Sequence, residues 1–178
     1  IILTSRNFDT SNQFSVGRAY GDYMLTNGTL YGQIALPKQV VRLRILNAEI
    51  ERGYNLGFSD NRTFYVITND GGLLNAPVAV TRLPVHVGER YEILVNLTSD
   101  TVGSSIDLKA YNSGQSNSFP GGEPGTTGRF GSLLNNTTFN VLHINIGATT
   151  VNPITAIPTT LTTNTYLTAV DATVNRTV

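Results

Sequence analysis

Two histidines and one methionine are the side chains of this sequence that could bind a soft or borderline metal ion, because cysteine is absent from its 178 residues. They are His86, His143 and Met24. A blue copper centre needs two imidazoles and a cysteine thiolate, often with a weak axial methionine. The sequence therefore lacks the anionic ligand of such a centre. It also lacks a cysteine nucleophile and any disulfide.

The two histidines fall in segments whose pattern predicts β-strands. His86 lies in "RLPVHVGERYEILVNL" (Arg82–Leu97), and alternation places it on the face opposite its two valine neighbours. His143 lies in "FNVLHINI", on the same predicted face as Val141 and Asn145. Nothing in the spacing brings the histidines together or adds a third strong ligand. We interpret both as polar strand residues, and we predict no catalytic, cofactor-binding or metal-binding residue in this chain.

Other catalytic patterns find no support. Asp60, Asp70 and Asp100 fall at separate turns, so their spacing does not place an acid pair for hydrolysis. The sequence contains no G-x-S-x-G nucleophile elbow, no G-x-G-x-x-G fingerprint and no P-loop. Glycosylation sequons arise by chance in a chain rich in Asn and Thr, and they occur here at Asn27, Asn61, Asn96, Asn135, Asn136 and Asn175.

Composition excludes further classes. Lys plus Arg number 12 and Asp plus Glu number 12, so the chain has no basic excess with which to displace counterions from phosphates. We therefore predict no nucleic-acid partner. No apolar run approaches the roughly 18 residues that a membrane-spanning helix requires. The chain opens on "IILTSRNF" without an initiator Met or an apolar leader, which favours a segment of a longer protein.

Short strands must position whatever site exists. In "QVVRLRILN", apolar residues alternate with Arg42 and Arg44, a pattern with one buried and one solvated face. The segments "FYVIT", "RYEILVNL", "SIDLKAY" and "FNVLHINI" have the same character. Turn residues separate them, among them Asn27-Gly28 and Asp70-Gly71-Gly72. The sequence therefore predicts an all-β domain, a sandwich or a barrel.

Two regions differ from this pattern. Residues 112–136 contain six Gly and two Pro without apolar alternation, which predicts a long, mobile surface loop. Residues 147–178 contain eleven Thr and two Pro. We interpret 1–147 as one domain and 148–178 as a Thr/Pro-rich interdomain linker, which could reach the first strand of a following domain.

Three longer segments carry a resemblance to a known family. They are "MLTNGTLYGQIAL" (Met24–Leu36), "VRLRILNAEIERGYNLGFSDNRTFYVITNDGGLL" (Val41–Leu74) and "APVAVTRLPVHVGERYEILVNL" (Ala76–Leu97). Their order resembles the second, central cupredoxin-like domain of a bacterial three-domain multicopper oxidase, of the copper-efflux oxidase or spore-coat laccase type. Asn69 stands where the family usually has Ser, and Gly32 falls near a usual Pro. The resemblance implies a cupredoxin-like Greek-key β-sandwich.

The resemblance also implies which domains of the parent protein hold copper. In this family the type 1 copper belongs to the third domain, and the trinuclear cluster, held by His-x-His pairs, lies between the first and third. No such pair occurs here. The chain is thus expected to be a copper-free spacer that contacts flanking cupredoxin domains. The parent, which the family places in the periplasm or outside the cell, would hold copper. It would couple one-electron oxidation of phenols, diamines or cuprous ion to reduction of dioxygen to water.

An immunoglobulin-like or fibronectin-like cell-surface binding module is the alternative, because composition and periodicity alone allow it. Strand topology separates the two, since cupredoxins pair their first and third strands in parallel. The leading hypothesis further predicts apolar surface left bare for neighbouring domains. For residues 112–136, the alternative to a disordered insertion is a lid or contact over the third domain's substrate pocket.

Overall fold

A computed structural model describes residues 1–171 and residue 174, and nearly all its regular structure is β. A 3-10 turn, Ala169–Asp171, is the one helical element in this part of the chain, and no helix there is long and apolar enough to cross a bilayer. The strands are β1 (Ile2–Phe8), β2 (Phe14–Ser15), β3 (Tyr23–Thr26), β4 (Thr29–Leu30), β5 (Gln33–Pro37), β6 (Val40–Asn47), β7 (Tyr54–Phe58), β8 (Phe64–Asn69), β9 (Gly72–Val80), β10 (Leu83–Val85), β11 (Arg90–Asn96), β12 (Ser105–Tyr111) and β13 (Thr138–Gly147).

The strands form two sheets, which confirms the predicted all-β fold. The eight-stranded sheet has the order β4-β3-β1-β6-β11-β8-β9, with β2 paired to β1. The five-stranded sheet has the order β10-β7-β12-β13-β5. The main core lies between them and includes Tyr54, Phe58, Phe64 and Leu108, none of which is exposed.

Two parallel pairings define the topology. β1 runs parallel to β6, with Ile2 opposite Leu46, and β5 runs parallel to β13. Parallel neighbours need a crossover, and here the chain leaves β1, enters β5 in the other sheet and returns as β6. Counting strands of five or more residues, β1 and β6 are the first and third. This is the pairing that separates a cupredoxin from an immunoglobulin-like sandwich.

The alternation predicted for β6 and β11 is present. Leu43 and Ile93 point into the core, whereas Arg42 and Arg44 lie on the outer face. There both guanidiniums contact Glu92 of the neighbouring strand, with Arg44 Nε 3.0 Å from its carboxylate. These exposed ion pairs contribute little to stability, so burial on the inner face orders the strands.

The Asp70-Gly71-Gly72 turn also forms as predicted, between β8 and β9. Gly72 has φ of 127°, a backbone conformation that side chains disfavour. The carboxylate of Asp70 accepts the backbone N–H of Arg90 at 2.7 Å and lies 3.3 Å from its guanidinium. The turn is thereby fixed to the start of β11.

Asn47, at the end of β6, fixes the crossover that follows. Its side chain is fully buried and donates to the carbonyls of Arg52 (2.9 Å) and Val85 (3.0 Å). Its amide oxygen accepts the N–H of Glu49 at 3.1 Å. One side chain therefore satisfies three backbone groups, two in the connection between β6 and β7 and one at the end of β10.

Below this crossover lies a buried charged cluster. Arg52 has no exposed surface, and Glu49 is 6% exposed. The hydroxyl of Tyr54 donates to Glu49, and the Arg52 guanidinium stacks 4.6 Å from the ring centre of Tyr20. Burial raises the pKa of Glu49, although hydrogen bonds from Ser5 and Tyr54 and the charge of Arg52 oppose that rise. Burial likewise lowers the pKa of Arg52.

The Gly-rich loop, residues 112–136, packs on residues next to this cluster, and that the loop is mobile stays a prediction. The segment has no strand or helix, but the carbonyl of Pro120 accepts the N–H of Gly53 at 2.9 Å. Ser132, 1% exposed, donates its hydroxyl to Gly21 at 2.6 Å. A Cβ at Gly121 would lie 2.9 Å from the Arg52 guanidinium. The glycines permit close packing here.

From residue 148 to 171 the chain contains no strand, and Ile157 and Leu161 of this segment pack against the eight-stranded sheet. Residues 172–173 and 175–178 lie outside the described part, as does the sequon at Asn175. The division into a domain of residues 1–147 and a linker of 148–178 stays a prediction.

Replacing Asn47 by Ala should lower the free energy of unfolding by roughly 2–4 kcal/mol, because buried backbone groups lose their partners. Urea unfolding would measure this. The matched control is Asn145→Ala, at an exposed position of β13, which should change stability by less than about 0.5 kcal/mol. Equal effects of the two substitutions would contradict the role of Asn47.

Replacing Glu49 by Gln should change how stability depends on pH. A carboxyl whose pKa is raised by folding contributes stability below its ordinary value of 4.5, and that contribution is lost as pH rises through the raised value. The free energy of unfolding of the wild type minus that of Glu49→Gln should therefore fall as pH rises from about 4 toward neutrality, by at most about 1.4 kcal/mol per pH unit. Unfolding in urea at several pH values measures this.

Glu51→Gln is the control, since Glu51 keeps contact with solvent and pairs with exposed Arg129 at 3.6 Å. A difference for Glu49→Gln that stays constant with pH, or rises with it, would refute the burial argument.

Candidate functional site

His86 lies in a turn, so its interpretation as a strand residue is wrong. β10 ends at Val85, and His86 begins the turn that leads into β11. Its backbone N–H donates to the carboxylate of Glu89 at 2.6 Å. The exposed imidazole lies against Phe119, with ring centres 5.4 Å apart. The pattern misled because "PVHV" alternates like a strand, whereas Gly88 and Glu89 turn the chain.

His143 lies in β13 as predicted and points outward with Asn145. Its Nδ1 is 2.7 Å from Oδ1 of Asp107, the residue opposite it in β12. Val141 does not share this face, because a bulge shifts the register and buries both Val141 and Leu142. The Asp107 carboxylate fixes the ring and leaves Nε2 as the free nitrogen.

The fold keeps the two histidines apart. His86 follows Val85, which pairs with the first residue of β7, whereas Asp107 precedes Leu108, which pairs with the last. The histidines therefore belong to opposite ends of that strand. Met24 is buried in the core between the sheets. Among the described residues, no three His, Asp or Glu side chains come together as metal ligands. The donor set thus does not fit a type 1 or a trinuclear copper centre.

Two of the three aspartates that the sequence left scattered do meet. The guanidinium of Arg62 donates two hydrogen bonds to Asp100, at 2.8 and 2.6 Å, and one to Asp60 at 2.8 Å, and the backbone N–H of Arg62 also donates to Asp60 at 3.2 Å. Hydrogen bonds that Arg62 donates to the Asp100 carboxylate raise the pKa of Arg62. Burial raises the pKa of Asp60, but the hydrogen bonds from Arg62 outweigh burial and hold that pKa below its usual value. A carboxyl kept ionised by a guanidinium is a poor general acid, and the ion pairs of this cluster join two turns.

Exposed apolar residues lie at one end of the eight-stranded sheet. The rings of Phe14 and Tyr23, 64% and 43% exposed, pack on Phe8 at 5.3 and 5.6 Å. Nearby, a groove of about 440 Å³ between the β3–β4 hairpin and β13 is lined by Tyr23, Tyr31 and His143 among others. Tyr31 is 84% exposed. Bare apolar surface of the predicted kind is therefore present.

Comparison with known proteins supports the same fold. The family model for multicopper oxidases matches residues 7–119, more than half of the chain. The multicopper oxidase McoA of Aquifex aeolicus superposes with a TM-score of 0.76 at 26% identity, over 94% of this chain and 35% of that one. A multicopper oxidase of Pediococcus acidilactici gives 0.69 at 26% identity, over 94% and 31%.

Other relatives of this chain are named as cell division proteins rather than oxidases. The cell division protein FtsP of Rahnella sp. (strain Y9602) is 44% identical over 94 residues, which cover 53% of this chain and 19% of that protein. FtsP of Escherichia coli (strain K12) is 41% identical over 95 residues, or 52% and 20%. The chain therefore spans about a fifth of these relatives and about a third of the solved oxidases.

The resemblance drawn from the three sequence segments is thus confirmed, and no feature of the histidines or acidic clusters argues against it. The parallel pairing of β1 with β6 and the match over residues 7–119 lead to one conclusion. The chain belongs to the multicopper oxidase family and has a cupredoxin-like fold.

Proposed function

We propose that this chain is a copper-free structural domain that separates the copper-binding domains of a multicopper-oxidase-like parent. The observation that supports this proposal is the set of possible copper ligands. The chain has no cysteine, and its two histidines lie at opposite ends of β7. No catalytic, cofactor-binding or metal-binding residue is assigned to it. The sheets of this domain lie within residues 1–147, and the role proposed here does not depend on whether the segment after them is a linker.

The partners we propose are flanking cupredoxin domains of the same chain. Solved multicopper oxidases are about three times longer than the matched segment, which leaves room for such domains. The bare aromatic surface around Phe14 and Tyr23 offers an area for one of them to cover. In the parent, copper outside this segment would pass electrons from phenols, diamines or cuprous ion to dioxygen, in the periplasm or outside the cell.

A second candidate concerns the parent rather than this domain. The FtsP relatives are 44% identical where they match, whereas the oxidase structures are 26% identical over nearly the whole chain. A parent that acts in cell division, as those relatives are named, would use the same domain as a structural unit without oxidase chemistry. In both cases the role we propose for this domain is structural.

Purified chain incubated with excess copper and then dialysed should retain far less than one copper ion per molecule. It should also show no blue absorption, which requires a cysteine thiolate bound to Cu(II). Elemental analysis by mass spectrometry and absorption spectroscopy make the measurement. The control is the His86→Ala/His143→Ala double variant, which should retain the same trace. Stoichiometric copper in the wild type, lost in the double variant, would overturn the proposal.

Oxygen uptake by the full-length parent separates the two candidates. An oxidase loaded with copper should consume dioxygen with a phenolic or cuprous substrate, and the rate should be unchanged by His86→Ala or His143→Ala in this domain. The same parent stripped of copper is the control. A copper-treated parent that holds no copper and consumes no dioxygen would favour the division role.

A further inference from the structure

The outer face of the eight-stranded sheet carries an apolar patch that alternation does not predict. Arg42, Arg44 and Glu92 mark this face as solvated. Val40, Ile67 and Leu94 lie on the same face, yet they are only 5%, 4% and 8% exposed. Something other than the second sheet must cover them, because the core lies on the opposite side.

The cover is a C-terminal strap, which we define as residues 148–164. Ile157 and Leu161 of the strap pack on the patch formed by Val40, Ile67 and Leu94. The carbonyl of Ile154 accepts the N–H of Val40 at 2.7 Å, so the strap also bonds to the first residue of β6. Upstream, the hydroxyl of Thr150 donates to the Gln39 side chain at 2.8 Å.

The strap then reaches the free edge of β9, the last strand of its sheet. The N–H of Leu161 donates to the carbonyl of Asn75 at 2.9 Å. The side-chain amide of Asn164 donates to the carbonyl of Leu73, also at 2.9 Å. A free edge is a template for pairing with another chain, and proteins block it with prolines, bulges or covering segments. β9 has all three, because it also contains Pro77 and a register shift.

We propose that the strap is an edge guard: residues 148–164 belong to the folded domain and prevent β9 from pairing with β9 of a second copy of this chain. A flexible interdomain linker would make none of the contacts above. The Thr-rich segment crosses the sheet without forming a strand of its own, so it offers no new edge with which a strand of another chain could pair. This inference does not depend on the proposed function of the parent.

The test uses the full chain with Ile157→Ser and Leu161→Ser combined. The matched control combines Val151→Ser and Leu167→Ser, two apolar residues of the same tail that are each 90% exposed. Hydrogen exchange of the Val40 amide reports whether the strap is seated, and sedimentation velocity reports self-association. The strap variant should exchange that amide about tenfold faster or more and form dimers as concentration rises. The control should do neither.

Two further variants keep the test decisive. Leu161→Pro removes the N–H that donates to the carbonyl of Asn75, and it introduces no polar side chain. This variant should also promote dimers. Adding Val78→Lys, a charge on β9 at a position 51% exposed, should return the strap variant to a monomer. Unchanged Val40 exchange in the strap variant would show that the strap is not seated. Faster exchange with a monomeric chain would show that it guards no edge, and either result overturns the proposal.

Discussion

The parallel pairing of β1 with β6 is the constraint on which the rest of this domain depends. It requires the chain to cross to the second sheet and back, and it places the end of β6, at Leu46 and Asn47, beside the start of β1. The connection that leaves β6 for β7 belongs to no ladder, and Glu49 and Arg52 within it are buried. Asn47 hydrogen-bonds to the backbone of both residues, and the hydroxyl of Tyr54 donates to Glu49. This connection thus places a polar interior at one end of an otherwise apolar sandwich.

The Gly-rich loop lies against that polar interior. A buried guanidinium is costly unless it is paired and hydrogen-bonded, and Arg52 donates to the carbonyl of Gly21 and stacks on Tyr20. Gly121 leaves room for the Arg52 guanidinium and Gly53 leaves room for the ring of Phe119, because a Cβ at either glycine would lie 2.9 Å from that group. The loop therefore packs closely on Arg52 and on the backbone next to it. Whether it also contacts a substrate pocket in the parent stays a prediction.

Sequence reasoning succeeded where a pattern has a single physical meaning. Alternation in β6 and β11 fixed which residues face the core, and Asp70-Gly71-Gly72 fixed a turn because only a few residues tolerate its backbone. It failed at His86 because three alternating residues do not distinguish a strand from a turn. It missed the Asp60–Arg62–Asp100 cluster because that contact joins turns 38 residues apart in the sequence. It judged residues 112–136 by composition, and composition does not reveal what a glycine lies against.

The outward-facing Val40, Ile67 and Leu94 show how a segment that covers the outer face could have been predicted. An apolar residue at a solvated position of a strand has a free-energy cost unless another segment covers it, and three such residues on adjacent strands indicate a cover rather than chance. The strap provides Ile157 and Leu161 at a spacing of four residues, in a stretch otherwise dominated by Thr. Ile157 and Leu161 of the tail are complementary to the three apolar residues of the outer face. Such a group of outward-facing apolar residues is therefore a sequence signal for a covering segment, whereas the choice of Ile157 and Leu161 over the exposed Val151 and Leu167 requires the structure.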